Sequence, residues 1–123
     1  MKTGFDERLA KRVRDEFSRR SVVCEEKRMM GGLCFMVDGK MCLGITAERL
    51  MVRLDPDIYE AALERPGCMP MDFTGKPMRG FVFVTHEGLK TAKSLRTWID
   101  AALEFNPRAK ASRPRKPTRQ KPG

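Results

Sequence analysis

The side chains that could support catalysis or metal binding are few and widely spaced in this sequence. The chain has four cysteines and one histidine: Cys24, Cys34, Cys42, Cys68 and His86. Structural zinc sites use Cys and His ligands clustered at short spacing, and the sequence contains no Cys-x-x-Cys pair. A cysteine nucleophile needs a base beside it and a third group to orient that base, and only Cys68 with His86 offers even the first pair. We therefore predict reduced, packed cysteines, no metal, no cofactor and no catalytic residue.

Three charged residues stand beside methionines and form a second candidate site. They are Arg28, Asp72 and Arg79. A carboxylate between two guanidinium groups could join two parts of a sheet through charge-assisted hydrogen bonds. An internal ion network is the favoured interpretation because buried charges are generally paired. A ligand-binding or enzymatic role for the same three residues is the alternative.

The positive charge of the chain is concentrated at its C-terminal end. The formal net charge is +9, yet seven of the 25 Lys and Arg and none of the 16 Asp and Glu lie in residues 107–123. These seven cations are Arg108, Lys110, Arg113, Arg115, Lys116, Arg119 and Lys121. The segment is also rich in proline, which predicts a disordered basic tail after a folded domain of residues 1–106. Such a tail either binds phosphate backbones without reading their sequence or acts as a solubilising extension.

The elements that must position these residues follow from hydrophobic periodicity. Helical spacing of apolar residues appears in residues 5–19 and 94–105, and Asp55-Pro56 is typical of the start of a helix between them. Residues 80–84 are β-branched and aromatic, which favours a strand, and residues 49–54 predict another. The order of elements predicts an α+β fold with a mostly antiparallel sheet and N-terminal, middle and C-terminal helices packed on it.

The Asp38-Gly39 pair predicts a β-hairpin, because this dipeptide suits a two-residue turn with positive φ. With that loop, Phe35 faces Cys42 and Cys34 faces Leu43, so Cys34 and Cys42 lie on opposite faces of the sheet. Both faces of the hairpin are apolar, whereas a sheet covered on one side alternates apolar and polar residues. We expect partial cover by helices together with self-association, which makes a homodimer one expected partner state.

Length and composition exclude several classes of protein. A chain of 123 residues is the size of one domain. No apolar run approaches the ~20 residues needed to span a bilayer, so no membrane partner is expected. The N-terminal residues are charged where an export signal is apolar, which predicts a cytoplasmic protein.

Three motifs resemble those of a known family. They are Arg28-Met-Met-Gly-Gly32 with the turn Asp38-Gly-Lys-Met41, the stretch Met71-Asp-Phe-Thr-Gly-Lys-Pro-Met78, and Leu95-x-x-Trp98-Ile99. Together they are similar to the N-terminal domain of the TfoX (Sxy) family of bacterial competence regulators, and the similarity covers about residues 5–105. The resemblance implies an antiparallel sheet with helices packed on it. Full-length members carry a second, C-terminal domain and act with the cyclic-AMP receptor protein at promoters.

The resemblance implies a non-enzymatic regulatory or protein-interaction module, linked to transcription regulation, with transcription machinery as its protein partner. One alternative is a nucleic-acid-binding accessory protein that acts through its basic tail. Another is a small ligand-binding protein or enzyme that uses Arg28, Asp72 and Arg79. The family supplies no catalytic residues to assign to this chain.

Overall fold

A computed structural model describes residues 5–29, 31–71 and 78–109 of the chain. In this part, six strands form one antiparallel sheet, and three α-helices pack on one of its faces. The predicted α+β class, with helices in the N-terminal, middle and C-terminal parts, is confirmed.

The helices are α1 (Glu7–Arg19), α2 (Tyr59–Leu63) and α3 (Ala92–Phe105). The strands are β1 (Glu25–Met29), β2 (Gly32–Val37), β3 (Lys40–Thr46), β4 (Arg49–Arg53), β5 (Cys68–Pro70) and β6 (Phe81–Val84), in the spatial order β1-β2-β3-β4-β6-β5. Short 3-10 helices span Pro56–Ile58, His86–Leu89 and Asn106–Arg108.

The two long helices begin at capping side chains that satisfy free backbone N–H groups. The Asp6 carboxylate accepts from the backbone N–H groups of Arg8 and Leu9, so α1 begins two residues later than periodicity alone predicts. The hydroxyl of Thr91 accepts from the backbone N–H of Ser94, so α3 begins two residues earlier than predicted.

The hairpin has the predicted turn but a different register beyond it. Val37 pairs with Lys40 and Met36 with Met41 as expected, but the register then shifts by one residue at a β-bulge. Phe35 faces Leu43 and Cys34 faces Gly44, so the predicted Phe35–Cys42 and Cys34–Leu43 pairs are wrong. A bulge places two residues of one strand opposite one residue of the other, and two consecutive apolar residues, Cys42 and Leu43, gave no sign of it.

The bulge places Cys42 and Leu43 together in the main core, on the face that the helices cover. The Cys34 thiol lies on the other face, 3.5 Å from the sulfur of Met36. The predicted separation of Cys34 and Cys42 is therefore confirmed although the pairing behind it was not.

The main core lies between the sheet and the helices. An edge-to-face contact joins the rings of Phe17 in α1 and Phe35 in β2, with centroids 5.9 Å apart. From α3, the apolar stripe predicted by periodicity is buried against the sheet: Leu95, Trp98, Ile99 and Ala102.

One buried charge joins α1 to α3. The carboxylate of Glu16, whose residue is 7% exposed, accepts hydrogen bonds from Arg20 at 2.7 Å and Arg96 at 3.0 Å. Arg20 also donates to Asp100 of α3 at 2.7 Å. Burial raises the pKa of Glu16, but the hydrogen bonds from Arg20 and Arg96 outweigh it, so this pKa lies below its ordinary value.

The packed chain extends beyond the predicted domain boundary at residue 106. Residues 106–108 form a 3-10 helix, and Ala109 is buried. The ammonium group of Lys40 donates to the carbonyl oxygens of Asn106 and Pro107 at 3.2 Å, and so satisfies acceptors at the end of α3. Residues 107–109 are therefore packed, and the rest of the predicted disordered tail, residues 110–123, lies outside the described residues.

The second face of the sheet is rich in methionine, and none of the described helices packs on it. We call it the methionine face; it comprises Met29, Cys34, Met36, Met41, Met51, Met69, Met71, Met78, Phe81 and Phe83. The described helices therefore cover one face of the hairpin, which agrees with the expected partial cover; the expected self-association stays a prediction.

Candidate functional site

The predicted charge cluster is not brought together around its two arginines. The guanidinium of Arg28, in β1, lies 5.3 Å from the ring centroid of Phe5. Arg79, just before β6, forms an ion pair with Glu60 and lies 5.6 Å from the ring centroid of Tyr59. Three strands separate β1 from β6, a distance of about 19 Å at ~4.8 Å per strand. One carboxylate cannot bridge two guanidinium groups on strands that far apart. Asp72 itself lies outside the described residues.

The cysteine thiols are poor nucleophiles where the structure places them. All four are free, and Cys34 and Cys42 are buried. Burial raises the pKa of Cys34 to about 11, that of Cys42 to about 12 and that of Cys68 to about 11. The pKa of Cys24 is also raised, by burial and then by the nearby carboxylate of Glu26. Because the thiolate is the reactive form, these residues are protonated packing groups near neutral pH, as predicted.

The methionine face carries cations over its aromatic rings. The guanidinium of Arg49 lies 4.0 Å from the ring centroid of Phe83, and that of Arg53 lies 5.3 Å from the ring centroid of Phe81. These cation–π contacts help to cover the rings. Sequence analysis predicted the strand that carries both arginines but not these contacts.

A small cavity lies within this face, beside Gly44. Its volume is about 30 Å³, and its lining includes Cys34, Met41, Met51 and Met71. That is about the share of one water molecule in the liquid. It is far smaller than the ~300–1,000 Å³ of a typical ligand pocket, so it offers no room for a substrate.

A larger groove opens on the helical layer between α2 and α3. Its volume is about 240 Å³, and we call it the α2–α3 groove, defined by Leu54, Ile58, Ala61, Ala62, Arg65, Thr97, Trp98 and Ala101. Leu54, Ala62 and Trp98 are buried and line its base. The guanidinium of Arg65 lies 4.7 Å from the ring centroid of Trp98. Sequence analysis missed this groove; its only signal was the run of small residues on α2.

No group of three or more Cys, His, Asp or Glu in the part of the chain that is described could hold a metal ion. The longest described helices are likewise too short and too polar to cross a membrane.

Comparison with protein families identifies the fold's relatives. The family model described as the TfoX N-terminal domain matches residues 17–106. The chain belongs to the TfoX N-terminal domain family. No curated protein and no solved structure matches it.

The match covers the elements that define this TfoX N-terminal domain. It begins near the end of α1, includes all six strands, α2 and α3, and ends at Asn106. Membership of the family supports a regulatory, competence-related module as the general class of function.

The basic residues after the TfoX N-terminal domain divide into two groups. Arg108 belongs to the folded part, because its guanidinium pairs with Asp55 at 2.9 Å and with Glu104 at 2.6 Å. The other six predicted nucleic-acid contacts lie outside the described residues: Lys110, Arg113, Arg115, Lys116, Arg119 and Lys121.

Proposed function

We propose that this protein is a non-enzymatic regulatory module that acts by binding a protein partner of the transcription machinery. The observation that carries the proposal is the family match, which spans the whole sheet and both helices of the α2–α3 groove. Because the domain is related to competence regulators, a binding module is a simpler interpretation of its function than an enzyme.

The chemistry of the described residues supports binding rather than catalysis. The buried thiols of Cys34 and Cys42 have raised pKa values, and the cavity on the methionine face is about 30 Å³. The two open apolar features are the methionine face and the α2–α3 groove. Methionine is flexible and polarizable, which suits adaptable contact with proteins.

The test is capture with the full chain, combined with loss of the gene. The immobilised protein should retain RNA polymerase or a transcription factor from an extract of its native cell, and free protein should compete for it. Deletion of the gene should change a limited set of transcripts, and the wild-type chain should restore them. A Gly32→Ala variant, in which the added Cβ overlaps the carbonyl oxygen of Ile45, serves as the disrupted-fold control. Unchanged transcripts and no competed protein would contradict the proposal.

A second candidate is a nucleic-acid-binding accessory protein. The observation that favours it is compositional: residues 110–121 contain six Lys and Arg and no acid. Such a segment attracts phosphate backbones irrespective of sequence. The ligand-binding or enzymatic role at Arg28, Asp72 and Arg79 has less support, because the two arginines contact different partners.

A further inference from the structure

Sulfur dominates the lining of the small cavity in the methionine face, which we call the sulfur cavity. Besides sulfur, the only side-chain polar atom in its lining is the hydroxyl of Thr46; the other lining residues are glycine or aliphatic. The sulfur-bearing residues are one thiol and four thioethers: Cys34, Met29, Met41, Met51 and Met71.

The register of the sheet explains why these sulfurs meet. Cys34 of β2 pairs with Gly44 of β3, and Gly44 pairs with Met51 of β4, so the three residues form one row across the sheet. Because Gly44 has no side chain, a gap remains between Cys34 and Met51, whose strands lie two spacings of ~4.8 Å apart. Met51 reaches into this gap, since its terminal methyl carbon lies 3.3 Å from the place that a Cβ on Gly44 would occupy.

A sixth sulfur lies next to the thiol. The Cys34 Sγ and the Met36 Sδ are 3.5 Å apart. Two sulfurs that bind one metal at ~2.3 Å each in trigonal or tetrahedral geometry lie about 4 Å from one another. The thiol and this thioether are therefore close to the separation that a shared metal ion requires.

The size and the lining of the sulfur cavity favour a single soft ion. Its volume, about 30 Å³, is that of one water molecule in the liquid, but a buried water needs two to four polar partners and sulfur is a weak hydrogen-bonding group. Thiolate and thioether ligands select soft ions such as Cu(I). Zn²⁺ is bound by thiolate, imidazole and carboxylate groups, of which this lining offers only Cys34.

The charge balance favours a monovalent ion. When the metal binds, the thiol of Cys34 releases its proton to the solvent and becomes a thiolate of charge −1, while the thioethers stay neutral. A +1 ion then gives a neutral site, whereas a divalent ion would leave a buried positive charge, which is costly. No electron is transferred, because the ion enters and remains as Cu(I).

We propose that Cys34 and the methionines around Gly44 form a binding site for one soft monovalent metal ion of the Cu(I) class. Met29 is 39% exposed, so the ion can enter at that side of the sulfur cavity. The site is independent of the proposed function, since it needs no protein partner.

Anaerobic titration of the reduced full chain with Cu(I), and with Ag(I) as a redox-stable ion of the same class, tests the proposal. Every protein in the test carries Cys24→Ser and Cys68→Ser, which remove the two partly exposed thiols. Competition with a chromophoric Cu(I) chelator gives the affinity, and native mass spectrometry gives the stoichiometry. We expect one ion per chain, only sulfur neighbours in the X-ray absorption spectrum, and a higher melting temperature with Ag(I) but not with Zn²⁺.

Matched variants separate the sulfur cavity from the rest of the methionine face. Met51→Leu and Met71→Leu each remove one sulfur at nearly constant volume. Each should weaken binding at least about tenfold, the smallest usual cost of losing even an outer partner of a metal site. Met69→Leu is the control, because Met69 lies on the same face, is 40% exposed and does not line the cavity. Gly44→Ala keeps every sulfur but fills the gap, so it should also weaken binding.

Cys34→Ser should abolish binding, and Cys42→Ser, on the opposite face of the sheet, should leave the affinity unchanged. Thermal unfolding of each variant without metal checks the fold; if Cys34→Ser does not fold, the methionine variants and Gly44→Ala decide. Equal binding by Cys34→Ser or Gly44→Ala, equal losses for Met69→Leu and Met51→Leu, or nitrogen and oxygen neighbours around the metal would overturn the proposal.

Discussion

Burial controls the chemistry of individual residues in this domain, and the cysteines show it most directly. Cys34 and Cys42 are 4% and 1% exposed, and burial raises their pKa values to about 11 and about 12. A thiol in this state carries almost no thiolate near neutral pH, so it can neither attack a substrate nor be alkylated quickly.

We predict that Cys34 and Cys42 resist iodoacetamide in the folded protein and react readily once it is unfolded in guanidinium chloride. The experiment is run near pH 8, where an ordinary thiol of pKa about 8.5 is partly ionised. Mass spectrometry of the digested protein gives the extent of labelling at each site. Rapid native labelling of Cys42 would contradict the packing described for the main core.

The contribution of Glu16 to the stability of the fold should depend on pH. Its pKa is lowered in the folded state by the hydrogen bonds from Arg20 and Arg96, which outweigh burial. A carboxyl group whose folded pKa is lowered stabilises the fold above its unfolded pKa of about 4.3 and loses that contribution as the pH falls below it. We expect Glu16→Gln to lower the free energy of unfolding by about 1.5–3 kcal/mol at neutral pH, the range for hydrogen bonds to charged groups.

Urea unfolding of the wild type and Glu16→Gln at neutral pH and near pH 3 measures this effect. The difference between the two proteins should narrow at the lower pH, because protonation of the wild-type carboxyl removes its contribution as the pH falls through the unfolded and then the folded pKa. Asp15→Asn is the control, since the Lys11–Asp15 pair is exposed on both sides and exposed pairs contribute little. A difference that is independent of pH would mean that Glu16 acts through packing alone.

The distance between Arg28 and Arg79 could not be predicted from the residues beside them in the sequence. The methionines beside Arg28 and Arg79 in the sequence suggested apolar surroundings, but both arginines are exposed. Sequence neighbours do not say which strands will lie side by side, and the spatial order of the sheet places three strands between β1 and β6. Long-range pairing, not local composition, therefore decided against the cluster.

At the scale of elements, the entry into the hairpin depends on two glycines for different reasons. Gly31 has a φ of +76°, a conformation that costs other residues free energy, but a Cβ there would meet nothing within 4 Å. A Cβ on Gly32 would overlap the backbone carbonyl oxygen of Ile45 in the neighbouring strand. Backbone atoms within a sheet cannot move aside without breaking the pairing of β2 with β3.

We predict that Gly32→Ala destabilises the domain more than Gly31→Ala. The expected losses are about 3 kcal/mol for the overlap at Gly32 and about 1 kcal/mol for the left-handed backbone at Gly31. Gly31→Asn should recover part of the second loss, because asparagine tolerates positive φ. Urea unfolding of the three variants ranks their free energies of unfolding. A larger loss of stability for Gly31→Ala than for Gly32→Ala would contradict the reasons given for the two glycines.

The elements divide into those that periodicity could predict and those that it could not. The stripe of α3 and the strand β6 were clear, because a helical or strand period is a local property of the sequence. Strand β5 has only three residues, Cys68–Pro70, which is too short to show a period. The bulge at Cys42 and Leu43 was hidden because both residues are apolar, and the α2–α3 groove was hidden because it depends on how two helices pack.

At the scale of the whole molecule, the domain has two different surfaces. The helical layer carries the α2–α3 groove, whose lining includes Arg65, and the opposite side carries the methionine face with Arg49 and Arg53. Because the sheet separates them, substitutions in the groove can be tested without altering the methionine face.

The last prediction concerns the six cations of residues 110–121. If they bind nucleic acid, each neutralised phosphate contributes about 0.9 to the salt slope on duplex DNA, for a total of up to about 5. A chain ending at Ala109 should lose this slope yet melt within a few degrees of the full chain, because it keeps the Arg108–Asp55 ion pair and the buried Ala109. A chain ending at Asn106 should melt lower, since it lacks the Pro107 carbonyl that accepts from Lys40 as well as both of those contacts. The salt slope is measured by filter binding to duplex DNA at several salt concentrations. A full-length chain with Gln at the six positions is the control for length. Equal slopes for the full chain and the chain ending at Ala109 would assign any DNA affinity to the folded domain.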